Sequence, residues 1–163
     1  MLFVGLALLF LVACFSFVLL FGAPYLPTMS KQVQIAMDMV GLKPGQTLLE
    51  LGCGDGKVLI AAARRGWRVV GYELNPLLVL VCKVRTWRYR KLVVVKWGNF
   101  WTQDWPAADG IFVFVLLRQM KKLDKKIMQS TSNPVKLVSF AFEVPNKKPI
   151  KKSPHGVYLY RYN

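Results

Sequence analysis

The chain is short of acid, histidine and cysteine. Its 163 residues carry 8 Asp and Glu against 23 Lys and Arg, a formal net charge of +15, with one His and three Cys. The lone His155 lies in Ser-Pro-His-Gly, a turn context, and reads as a turn residue rather than a catalyst. Cys14, Cys53 and Cys82 form no C-x-x-C and none lies near His155, so neither a metal site nor a disulfide framework is indicated. Charge of either sign is also missing from residues 2–30, and residues 2–22 are almost continuously apolar. About 20 helical residues cross a hydrocarbon core of roughly 30 Å. The segment is therefore expected to be a single transmembrane helix, residues 1–23. A signal peptide would need a basic start, a shorter apolar run and a small-residue cleavage site, where this chain has Pro24 and Pro27. A buried core helix would be shorter and carry a polar face.

What is plentiful is positive charge, all of it after the span. Basic flanks stay on the cytoplasmic side, so the expected orientation is N-terminus out and domain in. Basic residues cluster at 83–91, 121–126 and 147–152. For a tethered domain the nearest large anion is the lipid surface, where each basic residue contributes about 1 kcal/mol. An anionic membrane surface is thus the expected partner, nucleic acid is the competing one, and solvated helix faces are the plain alternative.

Gly22-Ala-Pro-Tyr-Leu-Pro-Thr breaks the first helix, and residues 24–46 form a linker with a second helix over 31–40, capped by Ser30 and ended by Gly41. Lys43-Pro-Gly-Gln signals a turn. From residue 47 to 163, β-rich runs (47–51, 68–73, 92–97, 110–116, 135–142, 157–162) alternate with helical ones (55–65, 76–89, 119–130). Alternating elements with Val-, Ile- and Leu-rich strands predict an α/β, Rossmann-like, doubly wound and mostly parallel sheet. Only 13 residues, 144–156, join the last two strands, so the C-terminal end is expected to be abbreviated.

Ligands of such sheets bind beyond the carboxyl ends of the strands. The first strand runs into Glu50-Leu-Gly52-Cys53-Gly54-Asp55-Gly56. Glycines permit a tight turn and close backbone approach. A dinucleotide loop reads G-x-G-x-x-G, but here its last glycine is Lys57. Glu50 and Asp55 disfavour a pyrophosphate and suit a ligand with ammonium and sulfonium charges. Glu73 ends the second strand, where a carboxylate can accept both hydrogen bonds of a ribose diol. Leu74 and Asn75 follow it. Asn99 and Phe100, after the third strand, are placed to border an adenine ring. The three elements together point to S-adenosylmethionine (SAM) as cofactor; Glu73 alone would read equally well as a solvated strand end.

The stretch 49–57 and Gly71-Tyr-Glu-Leu-Asn-Pro76 resemble the SAM motifs of class I methyltransferases. More narrowly, the apolar N-terminus, Pro24-Tyr-Leu-Pro27, Lys31-Gln-Val and Leu42-Lys-Pro-Gly45 are similar to the small single-span protein-lysine methyltransferases that include the mitochondrial ATP synthase c-subunit enzyme. The resemblance implies a membrane-anchored class I methyltransferase acting on a protein lysine, and it fades after about Trp101. The family tends to place aspartate where Asn99 stands, and 114–118 lacks the Asn/Asp-Pro-Pro-Tyr motif of amino-methylating nucleic-acid enzymes. Methylation of a lipophilic small molecule, or a non-catalytic SAM-fold module at the membrane or on nucleic acid, are the other expectations. No general base stands out; Asp104 and Asp109 are the candidates, each more readily read as a loop acid near a basic surface. Tyr25, Phe100 and Trp101 are candidates to line an acceptor channel.

Overall fold

In a computed structural model, residues 29–131 and 133–163 are described, together with Val4, Gly5, Leu9 and Val12. Those four isolated positions are helical and exposed. The rest of the expected anchor, with Tyr25 and Cys14, lies outside the described residues. Among the described residues no helix is long and apolar enough to cross a membrane.

Helix α1, Ser30–Val40, is set by apolar residues at helical spacing, and it buries Val33, Ala36, Met37, Met39 and Val40. Each larger side chain contributes about 1.5–3 kcal/mol on burial. Gly41 ends it in the left-handed region (φ 53°), donating its N–H to the Met37 carbonyl. Ser30 does not cap it: the N-cap is Met29, with no side-chain cap bond, and Ser30 is already helical. Strand β1 (Thr47–Leu51), helix α2 (Lys57–Ala63), strand β2 (Arg68–Glu73), helix α3 (Pro76–Thr86) with a 3-10 turn (Trp87–Tyr89), and strand β3 (Val93–Trp97) follow. Then come β4 (Gly110–Val113), α4 (Leu117–Ser130), β5 (Val135–Phe140), β6 (Lys151–Lys152) and β7 (Val157–Tyr162).

The strands form one sheet in the order β3-β2-β1-β4-β5-β7-β6. β3, β2, β1, β4 and β5 are mutually parallel, and β7 is antiparallel to β5. The predicted sheet is therefore found, and all five parallel strands end along one edge. One face is covered by α1, α2 and α3 around Val33, Val40, Leu59, Trp67 and Cys82. The other is covered by α4, through Met120, Leu123 and Ile127, and by the 100–108 loop.

The abbreviated end is sharper than expected. Among the described residues no helix lies between β5 and β7, where Pro145, Pro149 and Pro154 interrupt any helical run. The strand there shrinks to Lys151–Lys152, hydrogen-bonded on the outer side of β7. Other boundaries moved for local reasons. β5 stops at Phe140 because Ala141 takes φ 70°. β4 stops at Val113, and the next residue, Phe114, meets the Phe140 ring edge-on at 4.8 Å between centroids.

Candidate active site

β1 ends in the loop that the sequence marks out. Gly52, Gly54 and Gly56 adopt φ 87°, 51° and 80°, a region that side chains resist. The loop is pinned to β2: the N–H groups of Gly52 and Cys53 both donate to the Tyr72 carbonyl, at 3.0 and 2.8 Å. A Cβ on Gly52 would meet nothing within 4 Å, so the backbone there faces open space. On Gly71 of β2, by contrast, a Cβ would lie 2.8 Å from Cys53 Cβ and 2.9 Å from Leu59 Cδ1. That glycine lets the loop and α2 close onto the sheet, which an isolated glycine inside a strand can signal.

Glu73 sits at the end of β2, 8% exposed, and organises two turns at once. Its Oε2 accepts from Gly54 N–H at 2.9 Å and its Oε1 from Asn75 N–H at 2.8 Å. Asn75, 1% exposed, caps α3 by accepting from Leu77 N–H at 2.9 Å. The Leu74 carbonyl accepts from Trp97 Nε1 at 3.0 Å, drawing the ends of β2 and β3 together. Glu73 thus reaches the loop as expected, with each oxygen holding one backbone amide and keeping acceptor capacity for a diol.

Glu50 is the unusual member. It is 4% exposed, and its Oε2 is buried without a hydrogen-bond partner. Burial first, then Cys82, Asp55 and Glu73 nearby, pushes its pKa well above the usual carboxylate range. A buried acceptor without a donor is costly, so a bound cation would both pair the oxygen and restore its charge. Asp55 forms an ion pair with Arg85 of α3 and accepts from Lys57 N–H at 3.3 Å. Cys53 lies 3.9 Å from Cys82, sulfur to sulfur. That contact, then burial and Glu50, raises the Cys53 pKa and holds the thiol protonated.

The third wall is present but differently employed. Asn99 Oδ1 accepts from Trp101 N–H at 3.0 Å, and its carbonyl accepts from Thr102 and Gln103, so its acceptors tighten the turn. The Phe100 and Trp101 rings meet at a 41° tilt, 4.6 Å between centroids, and lean on the second core cluster. Lys122 of α4 lies over the Trp101 ring at 4.6 Å.

The two candidate bases part company. Asp109 lies at the amino ends of β1 and β4, accepting from Thr47 N–H at 2.8 Å and Gln46 Nε2 at 3.0 Å. That is the edge opposite the glycine loop, so Asp109 ties strands together and is withdrawn as a base. The side chain of Asp104 is exposed, and its carbonyl accepts from Tyr72 Oη at 2.8 Å, which keeps it near the end of β2. His155 lies in the expected turn, its N–H donating to Ser153 Oγ at 3.2 Å. Sequence reasoning missed Arg85, and it placed Gly71 and Tyr72 in a motif without giving either a role. Beyond the carboxyl ends of β4 and β5, a cleft of about 590 Å³ opens between Leu117 and residues 143–149.

The donor set fits S-adenosylmethionine: an open glycine backbone, an orphaned buried carboxylate for an ammonium or sulfonium, and a strand-end acid with spare acceptors. Comparison with known proteins agrees. The sequence profile of the "ANTKMT methyltransferase domain" matches residues 50–151. The chain is 29% identical over 136 residues to the human ATP synthase c-subunit lysine N-methyltransferase, covering 82% of this chain and 58% of that protein. It is 29% identical over 149 residues to a protein-lysine N-methyltransferase of Saccharolobus islandicus, covering 84% and 92%. The chain thus spans a little over half the length of the human relative and nearly all of the archaeal one. Among solved structures, an RNA methyltransferase from Salinibacter ruber in complex with S-adenosyl-L-homocysteine superposes with TM-score 0.77 at 26% identity, covering 84% of this chain and 92% of that one. That profile covers well over half of the chain, from Glu50 through the glycine loop and Glu73, and the chain belongs to the ANTKMT methyltransferase family of SAM-dependent class I enzymes.

Proposed function

We propose that this chain is a membrane-anchored, SAM-dependent methyltransferase that transfers a methyl group to a protein lysine. The observation that carries the cofactor part is Glu50, a buried carboxylate oxygen without a partner beside an open glycine backbone. SAM bound there supplies an electrophilic methyl group on a sulfonium. Glu50 meets its positive end, Glu73 orients its ribose, and Phe100 borders its adenine. Holding donor and acceptor in line is the protein's main contribution, worth up to about 7–11 kcal/mol. The acceptor amine must be neutral to attack, and Asp104, an exposed acid at the same edge, is our candidate to take its proton.

The lysine assignment is supported by the activities named for the human and archaeal relatives. The cleft between Leu117 and residues 143–149 opens at the same strand edge as the glycine loop and gives an acceptor a route in. The anchor is supported by the uncharged run 2–22 and by the helical, exposed Val4, Leu9 and Val12. Residues 24–46 then tether the 47–163 domain on the cytoplasmic side. A second reading, transfer to RNA, is favoured by the net charge of +15 and by the Salinibacter ruber neighbour.

The test is to incubate the full chain and labelled SAM with membranes and total RNA of the source cell. Label in a membrane protein, recovered as methyl-lysine after hydrolysis, is the expected result. Label that extracts into organic solvent or remains in RNA would replace the lysine assignment.

A further inference from the structure

The three basic clusters are not equivalent in the fold. In 121–126, Lys122 lies on Trp101 and Lys126 on Trp105, at 4.6 and 5.1 Å. In 147–152, Lys147 contacts Asp124 and Tyr162, while Lys152 pairs with Glu143 at 2.8 Å. The 83–91 cluster differs in the length of acid-free sequence around it. Arg85 is held by Asp55, but among the described residues no carboxylate pairs with Lys83, Arg88, Arg90 or Lys91. No acid occurs anywhere from residue 74 to 103.

The apolar side chains among these cations are turned outward. Leu80, Val84 and Trp87 are 60%, 68% and 66% exposed, at the i, i+4, i+7 spacing of one helical stripe. Arg90 stacks on Trp87 at 5.0 Å. Beside α3 runs β3, an outer strand of the sheet, which ends in Trp97, 68% exposed; the exposed Val94 and Lys96 lie on the opposite face of the sheet, Lys96 over Tyr72. A solvent-facing edge strand with apolar side chains is a liability unless something covers it. Apolar residues and tryptophans among cations, with Asp55 already paired to Arg85 and no acid from residue 74 to 103, suit the headgroup boundary of an anionic bilayer.

We propose that α3 and the β3 edge form the face on which this domain lies against an anionic lipid surface. It rests on the reading of the chain as a membrane protein and adds the face that touches lipid. Leu80, Val84 and Trp87 enter the boundary to about 5–10 Å, and Lys83, Arg88 and Lys91 meet lipid phosphates. α3 is capped by Asn75, whose N–H is held by Glu73, so this pose holds the cofactor edge next to the bilayer and favours an acceptor lysine close to the membrane surface.

The full chain is mixed with vesicles of phosphatidylcholine, alone or with roughly one part in three phosphatidylserine. Flotation reports the anchor. Quenching of tryptophan fluorescence by lipids brominated on the acyl chain reports the face. The expected result is flotation on both vesicles, with quenching stronger on the anionic ones. That excess quenching should fall by half or more in Trp87→Phe and disappear in Leu80→Ser/Val84→Ser, whose melting temperature checks the fold. Flotation with no Trp87-dependent quenching overturns the docking face and leaves the anchor standing. Flotation on anionic vesicles alone, at low salt, keeps the face and removes the anchor. A chain that floats on neither overturns both. Without Trp87-dependent quenching, salt-sensitive RNA binding lost in Lys83→Glu/Arg88→Glu, or a dimer dispersed by Leu80→Ser/Val84→Ser, reassigns the face.

Discussion

The two halves of the sheet are built on different terms. From β1 to β3 the ends of the strands are cross-tied: Tyr72 to the glycine loop, Glu73 to Gly54 and Asn75, Trp97 to Leu74. Little can be changed there without moving the donor site. From β4 to β7 one face is covered by a single helix, the link from β5 to β7 carries no helix among the described residues, and the strand ends border an open cleft. On the proposed function, donor binding is the work of a closely determined backbone, and acceptor choice would fall to a permissive rim.

The largest expected break in that contrast comes from Gly54→Val. At φ 51° a β-branched side chain is strained and the loop must distort, so titration calorimetry should show no SAM binding. Gly71→Val should be as damaging through packing, lowering the thermal midpoint by the equivalent of about 1–3 kcal/mol.

Next comes Glu73→Ala, expected to weaken SAM binding by about 1–3 kcal/mol, roughly 5- to 150-fold, with the loop loosened. Near-wild-type calorimetry for it would remove Glu73 from the site.

Glu50→Gln should split two properties. The raised pKa means that the carboxylate contributes fully to stability when protonated at low pH, and that contribution fades as pH rises through the folded-state value. Glu50→Gln should therefore melt higher than wild type at alkaline pH and no higher in acid. In wild type, SAM should release a proton and bind more tightly as pH rises through the raised value, then level off. Calorimetry in buffers of different ionisation enthalpy measures this, and the glutamine variant should release none.

The smallest effects on the donor belong to the other half. Leu117→Asp, in the cleft, should leave SAM affinity within about twofold while lowering kcat/KM for the acceptor about tenfold, near 1.4 kcal/mol. An equal loss in SAM affinity would erase the distinction between the halves.

The same asymmetry governs what could be read in advance. β1, β2 and β7 fall where their apolar runs put them, and the loop acids where a strand-to-helix turn must carry them. Asp109 misled because it immediately precedes a strand, and sequence distance does not say which edge of the sheet that is. Asn99 misled more subtly, since its acceptors serve its own turn. The cleft near Leu117 joins residues about 30 apart and has no local pattern. Arg85 looked like one of a cluster; only the fold reveals that it answers Asp55.

That pairing has a further consequence. α3 touches the glycine loop three times: Arg85 on Asp55, Cys82 on Cys53, and Cys82 beneath Gly56, where an added Cβ would come within 2.7 Å of its sulfur. The loop therefore has no hinge of its own, and moving it means moving the helix whose outer stripe lies open. Coupling of that kind is reciprocal. If lipid contact shifts α3 and changes cofactor affinity by some factor, cofactor occupancy changes the hold on lipid by the same factor, making the donor a sensor of where the enzyme is.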